Sequence, residues 1–173
     1  HNLGSYTEYY RMVANGDHPE ELQLMVDLLT TNETYVFREE KHFEFLAKTI
    51  VPQHPQGRSF DVWSAASSTG EEIYTISMVL ADTLGVQASW MVTGTDISQS
   101  VLEVAKRGFY WLDRTRGLPP EYLRKYCLKG VNENAGSFMI AAPYSLHASK
   151  SQQYPAGNWE VSCHISAQRH DLF

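Results

Sequence analysis

The segment Trp63-Ser64-Ala65-Ala66-Ser67-Ser68-Thr69-Gly70-Glu71-Glu72-Ile73-Tyr74 constrains this chain more than any other. It reads as a strand running through a small-residue turn into a helix, a unit that places a ligand at the strand's carboxyl end. The charge carried by the turn narrows the ligand. A turn built for pyrophosphate leaves bare backbone N–H groups at the helix N-terminus. Here two carboxylates, Glu71 and Glu72, occupy that first helical turn. Ser67 to Gly70 holds one glycine where a dinucleotide fingerprint needs three. Such a turn repels phosphate and suits a ligand with hydroxyls and a positive charge.

The flanking pattern predicts an α/β fold. Phe60 to Ala66 reads as a buried strand, and Glu71 to Leu84 as a helix with Ile73, Ile76, Leu80 and Leu84 inward and Gly85 as its stop. A second strand, Ser89 to Thr95, follows. Ser98 is then a plausible N-cap for a helix through Arg107. Strand, helix, strand, helix in this order implies parallel pairing. Upstream, helices are expected over Pro19 to Leu29 and over Glu39 to Val51, the latter with Phe43, Leu46, Ala47 and Ile50 on its inward face and ended by Pro52. A polar-aromatic loop, Thr30 to Arg38, separates them. Downstream, Pro119 to Lys129 reads as a helix. Phe138 to Ala142 and Val161 to Gln168 read as short strands that pair as an antiparallel ribbon.

Asp96 stands at the carboxyl end of the second strand, where an acidic residue accepts hydrogen bonds from the hydroxyls of a ribose. An Asp that merely caps the following helix is the competing reading. The acidic turn upstream favours the nucleoside. S-adenosylmethionine is the common cofactor of this character, with an adenosine, no phosphate and a cationic sulfonium. Glu72 either neutralises that cation or is simply a good first-turn residue. Asn32, Thr34 and Arg38 form a polar set in one loop, interleaved with Tyr35 and Phe37. That loop faces a ligand, or it is a surface loop pinned by its aromatics, with Arg38 bridging to a helix carboxylate.

Composition excludes several classes. At 173 residues the chain fits one domain, or one and a piece. A formal charge of -6 argues against a nucleic-acid binder. No apolar run of about 18 residues is present, so no membrane insertion is expected. Cys127 and Cys163 are far apart and the histidines are scattered, so no metal site is expected, and two free thiols fit a cytoplasmic protein.

Three ordered motifs carry a resemblance. They are Thr-Thr-Asn-x-Thr-x-x-Phe-Arg-Glu at residues 30–39, Trp-Ser-Ala-Ala-x-Ser-Thr-Gly-Glu-Glu-x-Tyr at 63–74 and Gly-Thr-Asp-Ile at 94–97. Together they resemble the chemotaxis receptor methyltransferase family (CheR), S-adenosylmethionine-dependent protein-glutamate O-methyltransferases. The resemblance runs from about Tyr9 to Gly130. It implies a Rossmann-like S-adenosylmethionine methyltransferase fold, incomplete in this chain, with an N-terminal helical piece and an inserted antiparallel β-subdomain. The implied organisation is a helical region and cofactor loop over 1–52, the first half of the α/β domain over 58–130, the β-subdomain over 131–168 and the start of the second half over 169–173. It also implies that Asn32, Thr34, Arg38, Glu72 and Asp96 line the cofactor site, with Arg38 close to the reacting centre.

The implied reaction moves a methyl from S-adenosylmethionine to a glutamate of the cytoplasmic domain of a chemoreceptor, releasing S-adenosylhomocysteine in bacterial chemotaxis signalling. A glutamate with a pKa near ~4.3 is already ionised at neutral pH, so no general base is required. The sequence departs from the family pattern at Ile73, where proline is usual, and at Val36, where an aromatic is usual. After His170-Asp171-Leu172-Phe173 the family's closing segment of the cofactor site is expected and absent. The family's full-length members are expected to be monomers. An open half-sheet in this chain favours self-association, or a non-catalytic module that binds receptor or cofactor.

Overall fold

The computed structural model describes residues 3–16, 18–115, 117–141, 144–150 and 161–167. It opens with α1 (Tyr6–Ala14) and α2 (Pro19–Leu29), which pack on each other. Ser5 caps α1 by accepting the Glu8 N–H at 3.3 Å, and the Glu8 carboxylate accepts the Gly4 N–H at 2.8 Å. Val13 is its one buried residue, with Tyr9 and Met12 half-buried on the same face.

Glu39, with φ 59°, turns the chain into α3 (Glu40–Phe45), a π-helical turn over Leu46–Ile50 and the short α4 (Val51–Gln53). The helix expected over 39–51 therefore does not end at Pro52. The wider turn carries the chain past a residue that has no N–H to donate. The Val51 N–H bonds to the Leu46 carbonyl, five residues back. That extra residue rotates the apolar face, so Val51 is buried while Ile50, expected inward, is 41% exposed.

β1 (Phe60–Ser64) and β2 (Trp90–Asp96) pair in parallel, from Phe60↔Trp90 to Ser64↔Gly94. α5 (Glu71–Thr83) connects them and α6 (Gln99–Arg107) follows, its N-terminus capped by the Ser98 hydroxyl accepting the Val101 N–H at 3.4 Å. Ile73, Met78, Leu80, Val92 and Leu102 are wholly buried between these layers. Leu84, the last expected inward residue, caps α5 and packs at the core's edge. No helix among the described residues is long and apolar enough to cross a membrane.

A second, antiparallel sheet is built from β3 (Phe109–Trp111), β4 (Cys127–Lys129) and β5 (Ser137–Ile140), with β5 in the middle. α7 (Pro120–Tyr126) sits between β3 and β4, so the helix expected over 119–129 gives up its last three residues to a strand. Among the described residues the expected ribbon between 138–142 and 161–168 does not form. β5 pairs with β3 and β4, whereas β7 (Val161–Ala167) pairs antiparallel with β2 and with β6 (Tyr144–Lys150) in the main sheet. Burial selects the partner of β5: Phe138 lies opposite Tyr110, ring centroids 5.5 Å apart, and both are buried. The antiparallel sheet thus begins at Phe109, upstream of the expected boundary at 131. Residues 151–160 and the expected segment 169–173 lie outside the described residues.

α7 is tied to α5 through Asp82, which accepts from Lys125, from Tyr122 at 3.4 Å and from Tyr126 at 3.2 Å. The Lys125 ammonium holds the Asp82 carboxyl below its ordinary range.

Candidate functional site

Two cavities of about 610 Å³ compete for attention. One is lined by Val51, Pro52, Phe60, Leu84 and Ala88 and lies at the amino ends of β1 and β2. The other is lined by Asn32, Thr34, Arg38, Glu72 and Asp96, with Ser68 beside them, at the carboxyl ends of the same strands. Open α/β sheets bind ligands outside the carboxyl ends of their strands, which selects the second. All five residues singled out from the sequence line it.

The turn after β1 is pinned to the end of β2. The Ser67 N–H donates to the Thr95 carbonyl at 2.9 Å, and the Ser68 N–H to Asp96 Oδ2 at 2.8 Å. Gly94 permits this approach, since a Cβ there meets Ile73 Cγ2 at 2.8 Å and Ser67 Cβ at 2.9 Å. Gly70, with φ 95°, serves helix packing: a Cβ there meets Ala105 Cβ at 2.8 Å.

Asp96 carries both roles weighed for it. Its Oδ1 accepts the Ser98 N–H at 2.9 Å, a turn that leads into α6, while Oδ2 holds the Ser68 N–H. A carboxylate offers about four lone-pair sites, so about two remain for hydroxyl donors from the cavity.

The structure separates Glu71 from Glu72. Glu71 is buried and turns toward a smaller cavity of about 290 Å³ with Arg107, Tyr110 and Trp111. Glu72 alone lines the large cavity, where the Ser64 hydroxyl donates to its Oε1 at 2.6 Å. Ser64 is a positioning residue that the sequence reading missed; its place at the end of a strand feeding the turn was the available signal.

The loop before α3 is held by its buried residues. Phe37, with φ 60°, donates its N–H to the Thr75 hydroxyl at 3.1 Å. Its ring packs edge-on against Phe43 at 5.6 Å and Tyr122 at 5.0 Å. With Phe37 sunk in the core, Arg38 is left exposed on the cavity wall. Arg38 Nη1 donates to the Glu33 carbonyl at 2.8 Å, and not to a helix carboxylate as the competing surface-loop reading has it. The Ser68 hydroxyl donates to the Asn32 carbonyl at 3.2 Å, joining this loop to the turn. Glu39, His42, Phe43, Leu46 and Ile76 also line the cavity and were not anticipated. Ile76 falls one helical turn beyond Glu72, a spacing that could have found it.

These features fit S-adenosylmethionine. The cavity lies within the range of small-molecule sites, about 300–1,000 Å³. Asp96 has acceptor capacity for ribose hydroxyls, Glu72 presents negative charge, and the first turn of α5 bears carboxylates where a phosphate site needs bare N–H groups.

Residues 32–141 match the family described as the CheR methyltransferase, SAM binding domain. The chain belongs to this family. The matched span contains all five lining residues and the three-stranded antiparallel sheet. Curated chemotaxis protein methyltransferases are similar to it. That of Escherichia coli (strain K12) is 40% identical over 137 residues, covering 78% of this chain and 46% of the relative. Chemotaxis protein methyltransferase 2 of Pseudomonas aeruginosa is 39% identical over 139 residues, 80% of this chain and 49% of the relative. That of Borreliella burgdorferi is 37% identical over 131 residues, 70% of this chain and 46% of the relative. The CheR-family chain thus spans about half the length of the curated relatives it matches.

Proposed function

We propose that this CheR-family chain binds S-adenosylmethionine in the cavity between residues 31–46 and the ends of β1 and β2. As part of a chemotaxis protein methyltransferase, it methylates glutamate side chains in the cytoplasmic domain of chemoreceptors, in the cytoplasm. One observation carries the reading: three segments far apart in sequence bring Asn32, Thr34, Arg38, Glu72 and Asp96 to one cavity wall.

When bound, S-adenosylmethionine supplies a methyl group on a cationic sulfur. The chain's own residues do the rest. Asp96 accepts from the ribose hydroxyls, with its carboxylate held in place by the Ser68 and Ser98 N–H groups. Glu72, held by Ser64, offsets the positive charge. Asn32 and Thr34 contribute polar contacts along the loop. Arg38 keeps free N–H donors beyond its bond to Glu33 and orients the acceptor carboxylate. No side chain has to take a proton, because the acceptor glutamate is already ionised at neutral pH. Catalysis is therefore positioning and exclusion of water.

Calorimetric titration of S-adenosylhomocysteine into the chain tests the reading. Binding in the micromolar range that Glu72→Gln and Asp96→Asn weaken supports it. A folded chain that does not bind S-adenosylhomocysteine refutes it and leaves the receptor-binding module as the surviving reading.

A further inference from the structure

The acceptor in the proposed reaction is an anion, yet the cavity wall is acidic: Glu33, Glu39, Glu72 and Asp96 all line it. Arg38 and His42 are the two basic side chains among the described residues that line it. They stand on either side of Glu39, whose left-handed conformation, φ 59°, starts α3, and both line the same cavity. In the reading above Asp96 takes the ribose hydroxyls and Glu72 offsets the positive charge, which leaves the basic Arg38 and His42 to the anionic partner. Arg38 already gives one Nη donor to the Glu33 carbonyl. The His42 backbone N–H is satisfied by the Glu39 carbonyl at 2.8 Å, whereas its exposed imidazole has no hydrogen-bond partner among the described residues.

We propose that His42 is a second acceptor-binding residue, which donates an imidazole N–H to the glutamate carboxylate that Arg38 engages. This rests on the function proposed above and adds to it a residue that selects the substrate. An imidazole presents at least one N–H in either protonation state, so it serves as a donor throughout. Together the two side chains set basic donors against the four carboxylates of the cavity, and they favour glutamate over its neutral amide because hydrogen bonds to an ionised acceptor are the stronger.

The test loads the chain with S-adenosylhomocysteine and titrates a fluorescent acidic helical peptide carrying one acceptor glutamate. The same peptide with glutamine at that position serves as comparison. Anisotropy reads peptide affinity and calorimetry reads S-adenosylhomocysteine affinity. We expect His42→Ala to weaken the glutamate peptide roughly tenfold, to shrink its preference over glutamine, and to move S-adenosylhomocysteine affinity less than about threefold. His42→Asn, which keeps an N–H donor, recovers part of the loss. Unchanged peptide affinity in His42→Ala, beside clear weakening in Arg38→Ala, overturns the role of His42 alone. Equal weakening toward both peptides overturns it too, since recognition of the carboxylate is then not involved. A wild-type chain that binds S-adenosylhomocysteine but neither peptide overturns the acceptor site. One that fails to bind S-adenosylhomocysteine overturns the underlying reading instead.

Discussion

Asp96 links the ligand site to the fold, so its removal has two separable consequences. Its two carboxylate oxygens accept the N–H groups of Ser68 at 2.8 Å and Ser98 at 2.9 Å. Asp96→Ala strips both donors of their partner. Ser98 is wholly buried, so its N–H bears the full desolvation cost of about 1–3 kcal/mol. Ser68 borders the cavity, where water can replace the carboxylate, so that loss is about 1 kcal/mol. The sum is about 2–4 kcal/mol, which in a chain of this size lowers the melting temperature by roughly 5–15 °C. Asp96→Asn keeps one carbonyl acceptor but turns an NH2 group toward the other donor, and about half the loss is expected. Thermal and urea melts followed by circular dichroism measure this. Calorimetry with S-adenosylhomocysteine at low temperature, where each variant is folded, reads the ligand effect separately. A melting point for Asp96→Ala within about 2 °C of wild type refutes the argument, since the two N–H groups then do not depend on this carboxylate.

Four further outcomes are expected. Arg38→Ala lowers methyl transfer to receptor by about tenfold or more while changing S-adenosylhomocysteine affinity far less; equal losses in both count against its role toward the acceptor. Ser64→Ala frees Glu72 and weakens S-adenosylmethionine binding several-fold with little change in melting temperature, as calorimetry and a thermal melt read together. Gly94→Ala forces a methyl against Ile73 and Ser67 at under 3 Å, costs about 1–3 kcal/mol in urea melts and opens the Ser67–Thr95 contact below the cavity. Burial pushes the Cys127 thiol from 9.0 up to about 12, so the unfolded chain ionises first. Stability present below pH 9 is therefore lost between pH 9 and about 12, and Cys127→Ala flattens melts across that window. Tyr122, also pushed up to about 12, mainly by burial, keeps part of the slope.

Where burial is local and periodic, the sequence announces the element. The inward Ile73, Ile76 and Leu80 of α5 and the Ser98 cap of α6 are read directly from spacing. β1 and β2 follow from apolar runs bounded by turn residues. What stays hidden is non-local. Nothing within 138–140 says that its partners are 109–111 and 127–129, because that choice is made by the contact of Phe138 with Tyr110 across the pairing. α1 exposes most of its side chains, and its signals are short: Tyr6, Tyr9, Tyr10 and Val13 at helical spacing, and the cap of Ser5 followed three residues later by Glu8. The π-helical turn follows from Pro52 lying inside a helix that tertiary contacts continue, so the apolar stripe is right through Ala47 and wrong at Ile50. At the site, the residue types that carry charge were legible. The split between buried Glu71 and cavity-facing Glu72 came only from the family resemblance, since adjacent helical positions look alike in the residue pattern until packing chooses between them.

Backbone strain explains why the loop reads as an alternation of polar and aromatic residues. Among the described non-glycine residues, φ is positive at Phe37, Glu39, Ser68 and Asn132, and the first three flank the cavity. For a bulky side chain this conformation costs roughly 1–2 kcal/mol and persists only where surrounding contacts over-determine it. Phe37 meets that condition through its bond to Thr75 and its packing against Phe43 and Tyr122. The anchored phenylalanine fixes the direction in which Arg38 leaves the core. Glu39 then reverses the chain into α3, so that His42 returns to the wall Arg38 faces. An extended strand through 37–39 would send alternate side chains to opposite faces, and a helix would distribute them round an axis. The left-handed pair at 37 and 39 sinks one aromatic and leaves two basic groups beside a single cavity, and the packing of Phe37 in the core offsets the local strain.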